Sequence, residues 1–163
     1  MCNFCCTFAP KLREKVPQQT TKQKKTMIHF VTEGVEMPAI ERGKVEAWIR
    51  ATAAGYGFAT GDINYIFCSD ERILEVNRQF LGHDYYTDII TFDYSTPTTV
   101  SGDIYISLDT VRSNAELFDA TYNRELHRVI IHGLLHLTGQ QDKTPETEAE
   151  MHRKEDKALG CLF

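Results

Sequence analysis

The sequence predicts one α+β domain over residues 27–163, built from four strands and about five helices. Four short runs are rich in β-branched and aromatic residues, which is typical of strands. Five longer stretches repeat apolar residues at helical spacing. The length of 163 residues and the 42% hydrophobic content suit a single domain with a sizeable core. No apolar run approaches the roughly 18 residues that a membrane span requires, so no membrane association is expected.

A basic leader is expected to precede this domain. Residues 1–26 contain six Lys or Arg and one Glu, are rich in Gln, Thr and Lys, and show no periodicity. Such a composition predicts disorder. Met27 opens the first strand-like run, so we hypothesise that it is the biological start and that residues 1–26 are an upstream extension.

The charge and the cysteines limit the classes of partner and the compartment. Residues 27–163 contain 12 basic and 22 acidic residues, for a net charge of −10. Broad nucleic-acid affinity rests on neutralising phosphates, so DNA binding is not expected and any RNA contact must be local or supplied through a partner. The five cysteines are an odd number without framework spacing, and no secretory h-region is present. They indicate reduced thiols and a cytoplasmic protein.

The first half of the domain alternates strands with helices. Residues 28–31 form a strand-like run, and residues 41–54 have a helical stripe that ends at Gly55 and Gly57. Residues 63–68 are typical of a buried strand. The next helix is predicted over 70–80, with Ser69 as its N-cap. Its inward-facing residues are predicted to be Ile73, Leu74, Val76 and Phe80.

The second half begins with a strand pair and continues with three helices. Strands are predicted at 88–94 and 102–107, with a polar loop at 95–100 and an antiparallel arrangement of the pair. Helices then follow at 108–117 and at 123–137. A last helix runs over 145–159, with Thr144 as its cap and Pro145 at its first position. The buried stripe of the 123–137 helix is Leu126, Val129, Ile130, Leu134 and Leu137.

A candidate metal site lies at the end of that long helix. His132 and His136 are four residues apart, so they lie one turn apart on one helix face. Gly139 is a natural helix terminator, and a sharp turn there brings Asp142 back towards the imidazoles. Two nitrogens and one oxygen leave a coordination position open, which is typical of a catalytic metal site rather than a structural one.

The spacing matches the H-x-x-x-H-x-x-G-x-x-ligand pattern of long zinc-protease motifs but lacks one catalytic residue. Those peptidases need a Glu after the first His to take a proton from water, and this chain has Gly133 there. Peptide hydrolysis by that mechanism is therefore disfavoured. Glu148 and Glu155 are alternative ligands in case the turn directs Asp142 elsewhere.

Three blocks of the sequence resemble the YbeY-type rRNA maturation proteins, which are metal-dependent endoribonucleases of bacteria. The segment from His132 to Gly139, HGLLHLTG, resembles the H-G-x-L-H-L-x-G signature of that family. The strand segments TDIITF at 87–92 and GDIYIS at 102–107 are similar to two of its strands. Together with Asn77 and Arg78, the resemblance covers roughly residues 27–160 in the right order.

The resemblance implies a four-stranded mixed sheet packed with helices, one zinc ion in a cleft, and cleavage of single-stranded RNA. It also implies roles in 3′-end maturation of small-subunit rRNA and in ribosome quality control. The implied partners are therefore rRNA and the ribosome or its small-subunit proteins. His132, His136 and Asp142 are expected to hold that metal, and His132 and His136 are expected to act in catalysis through water bound to it.

The chain departs from the family pattern at two positions. Asp142 stands where the family usually has a third His, which makes Fe, Mn or Ni alternatives to zinc. Leu81 stands where the family often has an Arg. If that Arg contacts the substrate, another residue must replace it. The candidates are Arg78, Arg124, Arg128 and His83.

The sequence identifies no general base and leaves three functions open. Asp84, Asp88 and Asp103 lie near the family blocks, but Asp88 and Asp103 are predicted to bond backbone at strand starts. The favoured function is an RNA hydrolase. The alternatives are another zinc-dependent hydrolase such as a metallopeptidase, and a non-catalytic ribosome-associated module whose metal only fixes the helix end.

Overall fold

Four strands form one mixed sheet in the computed structural model, which describes residues 26–163. The strands are β1 (Ile28–Thr32), β2 (Ala59–Cys68), β3 (Ile89–Asp93) and β4 (Thr99–Ser107), in the spatial order β1-β2-β4-β3. The first three in that order run parallel, and β3 pairs antiparallel with β4 at the edge. The predicted α+β class, the mixed four-stranded sheet and the antiparallel pair are confirmed. The predicted leader lies outside the described residues, apart from Thr26.

Five α-helices accompany the sheet, as predicted. They are α1 (Arg42–Gly55), α2 (Asp70–Val76), α3 (Leu108–Leu117), α4 (Tyr122–Leu137) and α5 (Pro145–Leu162). A π-helical turn, Asn77–Leu81, continues α2. Within the described residues, no helix combines the length and the apolar character needed to cross a membrane.

Helix α4 lies at the centre of the core. Its N-terminus is capped by Thr121, whose side-chain oxygen accepts a hydrogen bond from the backbone N–H of Arg124. The predicted buried stripe is confirmed, because each of its five residues is at most 2% exposed. The stripe packs in one cluster with residues of β2, β4, α1 and α5. This packing fixes the position of the helix end that holds the two histidines.

The prediction for the 70–80 helix was wrong at its C-terminal end. The α-helix stops at Val76, and the wider π turn that follows changes which residues face inward. Phe80, predicted to be buried, is 58% exposed, whereas Asn77 is buried. Ile73, Leu74 and Val76 are buried as predicted. The π turn therefore presents an aromatic side chain on the surface.

The largest of the other boundary differences are at β2, β4 and α5, and each is explained by contacts with neighbouring elements. β2 begins at Ala59 rather than 63, and its register against β4 is irregular between Thr60 and Ile63. β4 begins at Thr99 inside the predicted loop, where the β3–β4 hairpin continues with Tyr94 N–H bonding the carbonyl of Ser101 at 2.9 Å. α5 continues to Leu162, which is buried in the core.

Candidate metal centre

The end of α4 and the turn after it bring three candidate ligands together. His132 and His136 lie on the last two turns of the helix. Gly139 follows with φ of 93°, a left-handed conformation that glycine adopts without strain, and its N–H bonds the carbonyl of His136 at 2.9 Å. The chain then reverses and returns Asp142 to the histidines. The predicted helix, turn and convergence are all present.

The distances among the three side chains suit one small cation. The two Nε2 atoms are 2.9 Å apart, and Asp142 Oδ2 lies 3.3 Å from that of His132 and 3.4 Å from that of His136. Two ligand atoms bound at about 2.05 Å to a tetrahedral zinc ion would be separated by about 3.3 Å. The side chains of the cluster are partly exposed, with 14% for His132, 26% for His136 and 34% for Asp142. The cluster is therefore able to hold a metal ion that remains accessible from solvent.

The hydrogen bonds of the opposite ring nitrogens determine which imidazole atoms have free lone pairs. His136 Nδ1 is 2.9 Å from the backbone carbonyl oxygen of Gln140, which only accepts, so this nitrogen donates. His132 Nδ1 is 2.5 Å from Glu155 Oε1, and it likewise donates to that carboxylate. In the neutral rings both Nε2 atoms are then unprotonated. Two nitrogen lone pairs and a carboxylate oxygen point at one position, and a cation there would remove their mutual repulsion.

The electrostatics of the site favour a neutral His136 and an ionised Glu155. Burial lowers the pKa of His136 below its ordinary value, and the nearby His132 lowers it further, because two adjacent imidazoles resist carrying two positive charges. Burial raises the pKa of Glu155, but the hydrogen bond from His132 and the charge of Arg128 outweigh this and hold the pKa below its ordinary value. A neutral imidazole binds metal, and an ionised carboxylate fixes the partner imidazole by its N–H.

Glu155 is distant in sequence from the cluster, and it contacts the candidate ligand His132 instead of taking the place of Asp142. It lies on α5, its side chain is 1% exposed, and its second oxygen bonds Arg128 at 3.3 Å and His152 at 3.1 Å. Sequence reasoning missed this role. The available signal was a charged residue on the apolar stripe of α5, at helical spacing from Met151, Ala158, Leu159 and Leu162, all of which are buried.

Gly133, where a zinc peptidase would have its catalytic Glu, faces the sheet and not the cluster. A Cβ placed on it would lie 2.9 Å from Ile104 Cγ2 and 2.9 Å from Ile89 Cδ1. Any larger side chain would collide with β3 and β4, so the fold has no room for that Glu. The structure thus supports the sequence argument against the peptidase mechanism.

A cleft of about 440 Å³ opens beside His136. One wall is the segment from Asn77 to Thr87, which follows α2, and the floor is the edge strand β3. Lys143 completes the lining, and it is the only Lys or Arg among the described residues that do so. Leu81 lies in the same lining, where the family resemblance implied an Arg. The cleft is therefore less basic than that resemblance implied.

The four candidate substrate-binding residues lie elsewhere. Arg78 forms an ion pair with Asp84, and the His83 ring stacks on Tyr85 with centroids 5.2 Å apart. Arg124 lines a second cleft of about 610 Å³. Arg128 also lines that cleft, and it bonds both oxygens of Glu125 at 2.7 and 2.9 Å in addition to Glu155. None of the four lines the cleft beside His136. Their role with substrate stays a prediction.

The three candidate bases do not belong to the cluster and have other side-chain partners, which for Asp84 is Arg78. Asp103 accepts hydrogen bonds from Asn64 at 2.7 Å and from the Tyr94 hydroxyl at 3.4 Å. The Asp88 carboxylate lies 3.7 Å from Arg128. The prediction that Asp88 and Asp103 bond backbone was wrong, because the partners found for both carboxylates are side chains.

Comparison with known proteins identifies the family. A family model described as Endoribonuclease YbeY matches residues 17–162. The chain belongs to the endoribonuclease YbeY family. The proteins named Endoribonuclease YbeY from Phocaeicola vulgatus and Parabacteroides distasonis are 60% and 58% identical to it, over 83% of this chain and 99% and 95% of their own. The Cytophaga hutchinsonii protein of the same name is 47% identical over 84% of this chain and 96% of its own.

A solved structure shares the fold. The solution structure of a Thermotoga maritima protein superimposes with a TM-score of 0.60 and 28% identity, covering 83% of this chain and 89% of that one. The resemblance to the YbeY family stated from three sequence blocks is confirmed over most of the chain by these matches.

Proposed function

We propose that this protein is a metal-dependent endoribonuclease that cleaves single-stranded RNA at the cluster formed by His132, His136 and Asp142. The observation that supports the proposal most directly is the convergence of three possible ligand atoms, two imidazole nitrogens and one carboxylate oxygen, within 3.4 Å of each other. The YbeY family membership supports the choice of RNA as the substrate. The open cleft beside His136 would allow an RNA strand to reach the cluster.

The residues of this chain have distinct roles in the proposed site. His132 and His136 would hold the ion through Nε2, and Asp142 through its carboxylate. A bound divalent ion supplies Lewis-acid polarisation of a phosphodiester and acidifies a water molecule. Glu155 and the Gln140 carbonyl keep the imidazoles in the tautomer that leaves Nε2 free. Lys143 is positioned to contact a phosphate of the substrate in the cleft.

Zinc is the proposed metal. A set of two imidazoles and one carboxylate is common in catalytic zinc sites, and separations of 2.9–3.4 Å between donor atoms match short metal–ligand bonds. Calcium takes six to eight oxygen ligands at about 2.3–2.6 Å, which this cluster does not offer. Iron, manganese and nickel are the alternatives that metal analysis would distinguish.

The biological substrate that we propose is rRNA. Endoribonuclease activity of this family supports action in 3′-end maturation of small-subunit rRNA and in ribosome quality control, in the cytoplasm, with the ribosome or its small-subunit proteins as partners. Comparing small-subunit rRNA 3′ ends in cells with and without the protein tests this assignment. Unchanged 3′ ends in depleted cells would contradict it.

A cleavage assay with metal analysis tests the biochemical proposal. Purified protein should contain about one equivalent of zinc and should cut a single-stranded RNA faster than the same RNA in a duplex. Chelation should abolish cleavage, and added metal should restore it. An Asp142→Ala variant that remains folded should lose both metal and cleavage. Metal-loaded protein that never cuts RNA would favour the non-catalytic module, and chelator-sensitive cleavage of casein would favour the peptidase.

A further inference from the structure

Three exposed aromatic side chains follow α2, and one of them lines the cleft beside His136. They are Phe80, Tyr85 and Tyr86, which are 58%, 56% and 61% exposed and fall within a stretch of seven residues. We call residues 80–86 the aromatic segment. Tyr85 and Leu81 of this segment line the cleft directly. An exposed aromatic cluster beside a candidate site is unusual for a surface and indicates a binding role.

The ring of Tyr85 is held in place by two neighbours. The buried side chain of Asn77 donates to the Tyr85 carbonyl at 2.9 Å, and the Asn77 carbonyl accepts from the N–H of His83 at 3.2 Å. His83 stacks on the Tyr85 ring at an interplanar angle of 21°, and its Nδ1 is 3.1 Å from the Tyr85 hydroxyl. The ring is thus pre-organised while more than half of the side chain stays exposed, which lowers the entropic cost of stacking a ligand on it.

The charge of the cleft limits how a nucleic acid can bind there. Lys143 is the single cationic side chain found in its lining among the described residues, and the domain has a net charge of −10. If little of the affinity for RNA comes from neutralising phosphates, most of it must come from contacts with the bases. Unpaired bases stack on aromatic side chains regardless of sequence, whereas paired bases do not expose their faces.

The edge strand β3 adds hydrogen-bonding groups at the floor. The N–H of Ser107 donates to the Asp88 carbonyl, and the N–H of Tyr94 donates to the Ser101 carbonyl. Hydrogen-bonded positions alternate along an antiparallel pair, so the even-numbered residues of β3 face β4. The backbone N–H and C=O of Thr91 therefore point away from β4. The Thr91 hydroxyl oxygen is buried and, within the described residues, has no hydrogen-bond partner. Thr91 and Asp93 both line the cleft.

We propose that Tyr85, supported by His83 and flanked by Phe80 and Tyr86, is a stacking platform that binds an unpaired RNA base beside the metal centre. The proposal rests on the proposed endoribonuclease function and assigns its preference for single strands to this segment.

Equilibrium binding without metal tests the platform separately from catalysis. Full-length protein treated with chelator is titrated into a fluorescently labelled single-stranded RNA, and anisotropy gives Kd. Tyr85→Ala should weaken binding about 5- to 150-fold, the range that corresponds to losing one stacked base. Tyr85→Phe should bind within about twofold of the parent, because the ring face is retained. Phe163→Ala is the matched control, since Phe163 is 57% exposed and lines a separate pocket that contains none of the candidate substrate-binding residues.

Salt dependence and base fluorescence provide two further readouts that a structural defect would not mimic. Because stacking neutralises no phosphate, Tyr85→Ala should have the same slope of log affinity against log salt as the parent. A 2-aminopurine in the RNA should be quenched by the parent and by Tyr85→Phe but not by Tyr85→Ala. Circular dichroism and Tm verify that each variant is folded.

Two results would overturn the platform. The first is a folded Tyr85→Ala variant that binds the RNA as tightly as the parent. If His136→Ala also abolishes cleavage, the proposed function survives while the platform fails. The second is binding of a labelled, extended Val-Lys repeat peptide in preference to the RNA, which would make β3 an edge for strand addition. Absence of cleavage by metal-loaded protein would contradict the proposed function and leave the binding measurements unaffected.

Discussion

Both halves of α4 contain histidine. Comparing His127 with His132 and His136 shows how the surroundings distinguish a structural histidine from a candidate metal ligand. His127 in the first half is 5% exposed, and its Nδ1 is 2.6 Å from the Asn123 carbonyl of its own helix. Its ring packs against Trp48 and Phe163, with centroids 6.1 and 5.4 Å away. His132 and His136 are only one or two turns further along the same helix.

The difference lies in what surrounds Nε2, not in the helix. All three imidazoles have an acceptor at Nδ1, but His127 is surrounded by aromatic rings, whereas His132 and His136 face each other and Asp142. A buried histidine among rings stays neutral and fills space. Two histidines and a carboxylate that converge on one position could hold a cation. The following changes test this contrast, in order of decreasing effect.

Removing one ligand should have the largest effect. His136→Ala should leave substoichiometric zinc and slow RNA cleavage more than about 100-fold, because loss of an outer-shell partner alone typically costs 10–100-fold. His127→Gln is the matched control from the first half of α4 and should retain both. Metal analysis and an RNA cleavage assay provide the measurement. Full activity of His136→Ala, or metal loss in His127→Gln, would contradict the contrast between the two halves.

Weakening the hydrogen bond between His132 and Glu155 should have the next largest effect. Glu155→Gln removes the negative charge that holds the imidazole N–H, so zinc affinity should fall about 10–100-fold. Excess zinc should restore kcat, because all three ligands remain. Competition with a metal indicator measures the affinity.

Glu148→Gln is the control for this change, since Glu148 is 63% exposed on the same helix and lies 3.9 Å from His152. It should bind zinc as the parent does. Equal loss of affinity in both variants would indicate a general effect of charge rather than the Glu155 contact.

Adding a side chain at Gly133, where α4 packs against the sheet, should lower stability moderately. Gly133→Ala places a methyl group against Ile104 and Ile89, and overpacking costs about 1–3 kcal/mol, more than the roughly 1 kcal/mol gained in helix propensity. The free energy of unfolding should therefore fall by about 1 kcal/mol in urea denaturation. Gly160→Ala, in α5 with nothing within 4 Å of an added Cβ, should instead be neutral or stabilising. Equal effects of the two changes would show that the tight contact at Gly133 is unimportant.

The smallest expected effect is a pH dependence from His127. Burial lowers the pKa of His127 in the folded state below its ordinary value of 6.5, so near and below that pH the unfolded chain binds more protons. Stability from this group is present above about pH 6.5 and is lost as the pH falls below it, by at most about 1.4 kcal/mol per pH unit.

His127→Gln should therefore reduce the difference between the unfolding free energies at pH 7 and pH 5.5. Urea titrations of metal-free parent and variant measure it. Because His132 and His136 are present in both proteins, their contributions cancel in the comparison. An unchanged difference would mean that His127 is protonated equally in the folded and unfolded chains.

The sequence by itself determined the parts of the site that depend on short-range geometry. Histidines four residues apart on a helix share a face whatever the rest of the chain does, and Gly139 permits the left-handed turn that returns Asp142. The stripe of α4, the caps Ser69 and Thr144, and the β3–β4 pair were likewise predictable, because local hydrogen bonds and periodicity fix them.

Only the tertiary structure decided which distant side chains meet. Glu155 is 23 positions from His132, and its contact depends on how α5 packs against α4. Arg128, a candidate for substrate binding, bonds Glu125 on its own helix, and only the packing of α5 adds its contact with Glu155. The π turn that exposes Phe80 has no strong local signal, since it differs from an α-helix by one residue per turn. Local rules place ligands along one helix, whereas the relative position of elements depends on the packing of the whole core.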